Sequence, residues 1–263
     1  MSNLQLNNVW PTIRAEAVKM SLAEPILASF YHATILNHQQ FSAAVSFHLA
    51  NKLDSQAMPA LMISDIFLEV MRTDPAIEIA MLEDICAHRE RDPACHAYNL
   101  PLLFFKGYQA LQSQRIAHRL WNEGRECLAL FMQNQISQQF DVDIHPGAKI
   151  GKGIMLDHAT GVVIGETVII EDNVSLLHGV TLGGSGCSIG QRHPIIRTGV
   201  LIGVGAKILG NVDIGKGAKI GAGSVVLESV AAHTTVAGVP AKVIGVHADA
   251  QPALDMDHKL NGE

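Results

Sequence analysis

Between Ile144 and Val226 a branched aliphatic residue recurs on a six-residue beat. It falls at Ile144, Ile150 and Leu156, then Ile164, Ile170, Leu176 and Leu182, then Ile202, Ile208, Ile214, Ile220 and Val226. Three positions after most of these stands a residue that tolerates a left-handed backbone: Gly147, Gly153, Asn173, Gly179, Gly205, Asn211, Gly217 and Gly223. Four positions after them stands a small or β-branched residue, such as Ala148, Val168, Val174, Ala206, Val212 or Ala218. Short flat strands joined by corners that need positive φ produce this pattern. It predicts a parallel β-helix of hexapeptide repeats, with about eighteen residues per triangular coil and coils about 4.8 Å apart. The beat slips by two between Leu156 and Ile164, and it is lost from Leu182 to Ile202, where the run Gly183 to Pro194 intervenes. A solenoid breaks its period where it extrudes a loop, and extruded loops often carry function.

Residues 1–140 have a different grammar. Helical spacing is visible at Leu61, Phe67, Leu68 and Met71, and again at Ile77, Met81, Leu82 and Ile85. Asp74-Pro75 and Asp92-Pro93 each predict an N-cap followed by proline at the first helical position. One long helix is expected from Leu102 to Trp121 and another from Arg125 to Phe140. The class is therefore α+β: an all-α domain over 1–140, a β-helix over 141–246 and a polar tail over 247–263 that is expected to be poorly ordered. No Gly/Ser-rich linker separates the halves, which predicts a fixed relation between them.

Composition narrows the partners. Hydrophobic residues make up 48% and charged residues 17% of 263, and the formal net charge is -6. With no basic cluster, nucleic acid is not an expected partner. No apolar run approaches the ~18 residues of a membrane helix, and the start MSNLQLNNVW has no basic region ahead of an apolar core. Cys86, Cys95, Cys127 and Cys187 are scattered, as expected of free thiols in a reducing compartment, so the protein is expected in the cytoplasm.

A β-helix needs few charges at its corners, so Asp157-His158 stands out. His158 lies two places after Leu156 and His178 two places after Leu176, which puts them at equivalent corners of successive coils. Asp143 begins the face about one coil away. A carboxylate beside a histidine holds its tautomer and stabilises its protonated form, as a general base requires. A solvated corner histidine is the competing reading. Arg192-His193, in the extruded run, could grip a carboxylate, although any surface loop can hold that pair. Gly183, Gly184 and Gly186 permit close backbone approach. Lys207, Lys216 and Lys219 could meet an anionic cofactor or simply face solvent. His145, His158, His178, His193 and His233 lack close ligand spacing, so no metal is expected.

These residues carry a resemblance. Asp141-Val142-Asp143-Ile144-His145-Pro146-Gly147-Ala148, the stretch from Gly153 to Gly161, His178-Gly179-Val180-Thr181-Leu182-Gly183-Gly184 and Arg192-His193-Pro194 resemble bacterial serine O-acetyltransferase. Arg89-Glu90-Arg91-Asp92-Pro93-Ala94 and Gly238-Val239-Pro240-Ala241-Lys242 match as well, so the resemblance spans nearly the whole chain. It implies a left-handed β-helix that trimerises and pairs trimers into hexamers, with sites between subunits. It implies transfer of acetyl from acetyl-CoA to L-serine, with His158 as general base oriented by Asp143. Asp92 and Asp157 would bind the amino group of serine, and Arg192 and His193 its carboxylate side. Acetyl-CoA, as co-substrate, would lie against Gly183, Gly184, Ser185, Gly203, Gly205, Lys219 and Ala222. Feedback inhibition by L-cysteine is implied too. The family's tail, which inserts into O-acetylserine sulfhydrylase, ends in isoleucine; this sequence ends Asn261-Gly262-Glu263, so that partnership is not carried by these residues. Two other readings stay open. One is acylation of a sugar or homoserine; the other is a non-enzymatic scaffold or zinc-dependent lyase on the same coils.

Overall fold

The computed structural model describes residues 3–186, 189–246 and 251–256. Helices come first: α1 (Asn3–Ala23), α2 (Ala28–Tyr31), α3 (Phe41–Lys52), α4 (Ala60–Thr73), α5 (Pro75–Arg91), α6 (Asn99–Phe104), α7 (Lys106–Asn122) and α8 (Glu126–Phe140). Their packing follows the 3.6-residue stripe, with one adjustment. On α4 the buried side is Ile63, Phe67, Val70 and Met71, while Leu61 and Leu68 face outward. Asp74 caps α5 as expected, its carboxylate accepting from the Ala76 N–H. Asp92 does not start a helix. It closes α5, its N–H donating to the His88 carbonyl, and its carboxylate accepts from the Ala94 N–H at 2.8 Å in a local turn. The expected helix from Leu102 to Trp121 is two helices, because Phe105 takes an extended conformation (φ -92, ψ 104) between α6 and α7.

After α8 the chain enters the β-helix within two residues, at Val142. Its first face stacks Val142–Ile144, Val162–Ile164, Thr181–Gly183, Lys207–Leu209 and Val225–Val226. The second stacks Lys149–Ile150, Ile169–Ile170, Ile195–Ile196 and Asp213–Ile214. The third stacks Met155–Leu156, Ser175–Leu176, Leu201–Ile202, Lys219–Ile220 and Thr234–Gly238, and Ala241–Val246 folds back antiparallel on the last of these. All other pairs are parallel. Register records the interruptions of the beat. Lys207 pairs with Val225, one regular coil on, whereas Val142 pairs with Val162 and Ile169 with Ile195, the longer steps that hold the slip and the extruded run.

Corners differ in backbone conformation. Turns from second to third face use positive φ at Gly153, Asn173, Gly199 and Gly217, and turns from third to first at Gly179, Gly205 and Gly223. Gly147 and Asn211, expected to behave alike, lie on the corner between first and second faces and do not.

The helical and coiled parts share one apolar core that runs through Ile116, Leu120, Phe140, Val142 and Ile144. A buried ion pair fastens them. Asp84 on α5 accepts from Arg115 of α7 (2.7 Å), from Gln112 and from the Ile154 N–H (2.8 Å). Arg115 in turn donates to the Ile150 and Gly151 carbonyls. Part of the tail is ordered, contrary to expectation. Pro252–Asp255 form α9 with Pro252 and Ala253 buried, and Ser175 Oγ donates to the Ala253 carbonyl at 2.8 Å. Residues 247–250 and 257–263 lie outside the described residues.

Candidate active site

The two-residue slip of the beat becomes a corner of unusual backbone. His158 (φ 55) and Ala159 (φ 61) are both left-handed, and Gly161 follows at φ 69. Two successive non-glycine residues there cost on the order of 1–3 kcal/mol each, and such strain collects where function needs it. The surroundings hold the corner in place: Ala159 is fully buried, Asp157 N–H donates to the Leu176 carbonyl, and Gly161 N–H donates to the Asp141 carbonyl. The strain presents the His158 ring outward, 73% exposed, with Asp157 Oδ1 3.7 Å from its Nε2. His178 sits on the next coil with its ring centroid 5.8 Å away, as the spacing required.

The helical domain closes this corner into a cleft of about 350 Å³. Asp92 and His88 from the end of α5, and Phe105, Lys106 and Gly107 from the start of α7, face Asp157 and His158 across it. The α6–α7 break thus starts a helix against the coil. Gly107 is there because a Cβ would lie 2.2 Å from the Leu156 carbonyl oxygen. Gly107→Ala is expected to cost about 1–3 kcal/mol by overpacking and to depress activity by prising α7 from the cleft. Urea midpoint and turnover, measured together, check this; unchanged values of both would contradict it.

Arg192 and His193 lie elsewhere, on the corner between first and second faces. His193 packs over Gly165, where a Cβ would meet its ring at 2.2 Å. The Thr167 N–H donates to His193 Nδ1 (3.2 Å), so the neutral ring carries its proton on Nε2. Burial and then the nearby Arg192 push the His193 pKa down, favouring that neutral form. The Arg192 guanidinium is engaged by Glu166, whose own carboxyl is held below its usual range chiefly by the Arg192 hydrogen bond. The Thr167 hydroxyl accepts from Arg192 N–H at 3.1 Å. Glu166 and Thr167 were not singled out from sequence, since nothing in a linear pattern pairs them with a run some 25 residues on.

One chain therefore brings Asp92, Asp157 and His158 together and places Arg192 and His193 on another edge. Asp143 makes no hydrogen bond to His158 within the chain; its Oδ1 accepts from Gln133 Nε2 at 2.7 Å. Of the expected acetyl-CoA contacts, Gly203, Lys219 and Ala222 line a second cleft of about 270 Å³, beside the His158 corner and further along the coil stack. Gly205 N–H donates to the His178 carbonyl, linking that region to the histidine corner. Gly183, Gly184 and Ser185 sit at the root of the extruded run, near Leu209, Arg192 and Gly210. Lys207 donates to the Gly179 carbonyl and Lys216 is exposed.

Comparison with known proteins decides what this arrangement belongs to. Residues 9–113 match the family "Serine acetyltransferase, N-terminal", and residues 193–228 match "Bacterial transferase hexapeptide (six repeats)". A serine acetyltransferase of Salmonella typhimurium is 57% identical over 258 residues, covering 98% of this chain and 94% of that one. The chain belongs to the serine acetyltransferase family. Among solved structures, the serine acetyltransferase of Vibrio cholerae is 56% identical with a TM-score of 0.96, over 97% of this chain and 99% of that one. A family structure in complex with cysteine is 54% identical, TM-score 0.95, over 97% and 99%. One in complex with CoA is 55% identical, TM-score 0.87, over 90% and 99%.

Within this family the remaining candidates take their place. Among the described residues no group of three or more His, Cys, Asp or Glu is arranged to hold a metal ion, and no helix is long and apolar enough to cross a membrane. Cys86 and Cys95 are buried free thiols and Cys127 an exposed one. Cys187, the fourth of the expected free thiols, lies outside the described residues.

Proposed function

We propose that the chain transfers the acetyl group of acetyl-CoA to the hydroxyl of L-serine, giving O-acetyl-L-serine and CoA, the first step of cysteine synthesis from serine. The observation that carries this reading is the cleft that two carboxylates, Asp92 and Asp157, line together with His158. A cationic amino group suits the carboxylates, and a hydroxyl held beside His158 Nε2 suits a base. His158 removes the hydroxyl proton as the oxygen attacks the thioester carbonyl, and returns it to the departing thiolate. Backbone N–H groups around Gly183-Gly184 are the candidate donors to the tetrahedral oxyanion. Transfer is direct, without an acyl-enzyme.

The division of polar groups between two edges supports a site shared between copies. In a trimer, the Arg192–His193 edge of one chain meets the His158 cleft of its neighbour and holds the serine carboxylate. The role of Asp143 in orienting His158 is likewise made between copies. Exposed Leu22, Ile26, Leu61 and Met62 on the helical domain are suited to pairing trimers into a hexamer. L-cysteine, which has the same amino and carboxylate groups as serine, fits the same clamp and inhibits; a family structure with cysteine bound supports this.

Formation of O-acetyl-L-serine from L-serine and acetyl-CoA, detected by mass, tests the reaction. The shared site has its own test. His158→Ala and Arg192→Ala proteins, each impaired, are mixed under dissociating conditions and reassembled. Recovery toward about a quarter of wild-type sites is expected when each site draws on two copies. Activity no higher than the sum of the separate variants contradicts a shared site.

A further inference from the structure

His88 lies one turn before Asp92 on α5 and is 1% exposed, yet it lines the cleft with Asp92, Asp157 and His158. The rings of Phe105 and Tyr108 stand edge-on to it, at 5.6 and 6.2 Å between centroids. Its Nε2 is buried and has no hydrogen-bond partner among the described residues. An unpaired ring nitrogen in an apolar setting is a cost that phenylalanine, of similar shape, would avoid. A group that arrives in the cleft removes that cost.

Which group it accepts follows from chemistry. Burial first, and Arg91 second, lower the His88 pKa to about 3, so the ring is neutral and a nitrogen lone pair is available. An ammonium group has three protons to donate. Asp92 and Asp157 offer two carboxylates, and a third carboxylate in so small a cleft would add a repelled, desolvated charge. A neutral imidazole adds an acceptor without adding charge. We propose that His88 Nε2 accepts the third N–H of the amino group of the acceptor amino acid, so that the cleft reads the ammonium through Asp92, Asp157 and His88 together. The assignment rests on the serine reading of the cleft and requires the His88 proton on Nδ1.

The test compares wild type with His88→Phe and His88→Leu, which remove the acceptor, and His88→Gln, which supplies a carbonyl oxygen. The readouts are KM for L-serine, KM for acetyl-CoA and Ki for 3-hydroxypropanoate, which is serine without its amino group. Loss of a hydrogen bond to a charged group is expected to raise the serine KM about tenfold in the Phe and Leu variants. The acetyl-CoA KM and the 3-hydroxypropanoate Ki should stay at wild-type values, and His88→Gln should recover part of the serine affinity. An unchanged serine KM overturns the proposal. So does equal weakening of serine and 3-hydroxypropanoate, which marks a packing role. A wild type that is inert toward serine overturns the reading of the cleft itself, a result distinct from either.

Discussion

His158→Ala is expected to lower turnover by about 100-fold or more while leaving the fold intact. Both halves of that expectation follow from the corner. The ring is 73% exposed and makes its nearest polar contact with Asp157 at 3.7 Å, so its removal opens no cavity and orphans no buried group. The backbone strain at φ 55 belongs to the corner and is equally present with alanine. Circular dichroism melting and single-turnover acetyl transfer, run on the same preparation, separate the two effects. The KM for acetyl-CoA should hardly move if the co-substrate lies along the expected contacts, because the second cleft, lined by Gly203, Lys219 and Ala222, does not include His158. Near-normal turnover with an unchanged melt would remove His158 from the role of base. His178, 5.8 Å away, would then be the histidine to replace next.

Asp84→Ala is expected to cost about 3–5 kcal/mol, a large share of the stability of an ordinary domain. Asp84 is fully buried and accepts hydrogen bonds from two side chains and one backbone N–H. Its removal leaves the Arg115 guanidinium buried without a counter-charge, though still tied to the Ile150 and Gly151 carbonyls. Activity should fall as well, at a distance. Asp92 ends the helix that carries Asp84, and Asp157 lies on the coil to which Arg115 is fastened, so loosening the lock separates the two carboxylates of the cleft. Urea unfolding measures the first effect and KM for serine the second. The double variant Asp84→Leu, Arg115→Met should recover much of the stability, because burying no charge is cheaper than burying an unpaired one. A single variant as stable as wild type would show that the pair does not hold the halves together.

The coils were legible because a β-helix repeats its inward positions on a strict beat, and every break in that beat has a physical counterpart. The slip after Leu156 is the strained His158–Ala159 corner, and the long gap after Leu182 is the extruded run that carries Arg192 and His193. His158, Asp157 and His178 could be aligned by counting. The helical half was less legible. Helical period gave the stripe on α4 but not which side faces inward, and apolar residues such as Phe104 and Phe105 concealed the break that brings Gly107 to the coil. Asp92-Pro93 showed the letters of an N-cap, but tertiary packing made it a helix end. Glu166 and Thr167 carry no signal in the sequence because their significance is a contact across 26 and 25 residues, and His88 none because it shares a cleft with residues about 70 positions on; no local pattern encodes either.

The most direct test of the account is release of CoA thiol from acetyl-CoA by purified protein, with L-serine set against no acceptor, L-homoserine and a panel of sugars. Rapid release with serine alone, suppressed by L-cysteine, is the predicted result. Release with homoserine or a sugar and silence with serine would contradict it, leaving the coils and the base in place but assigning the carboxylate-lined cleft to a different acceptor.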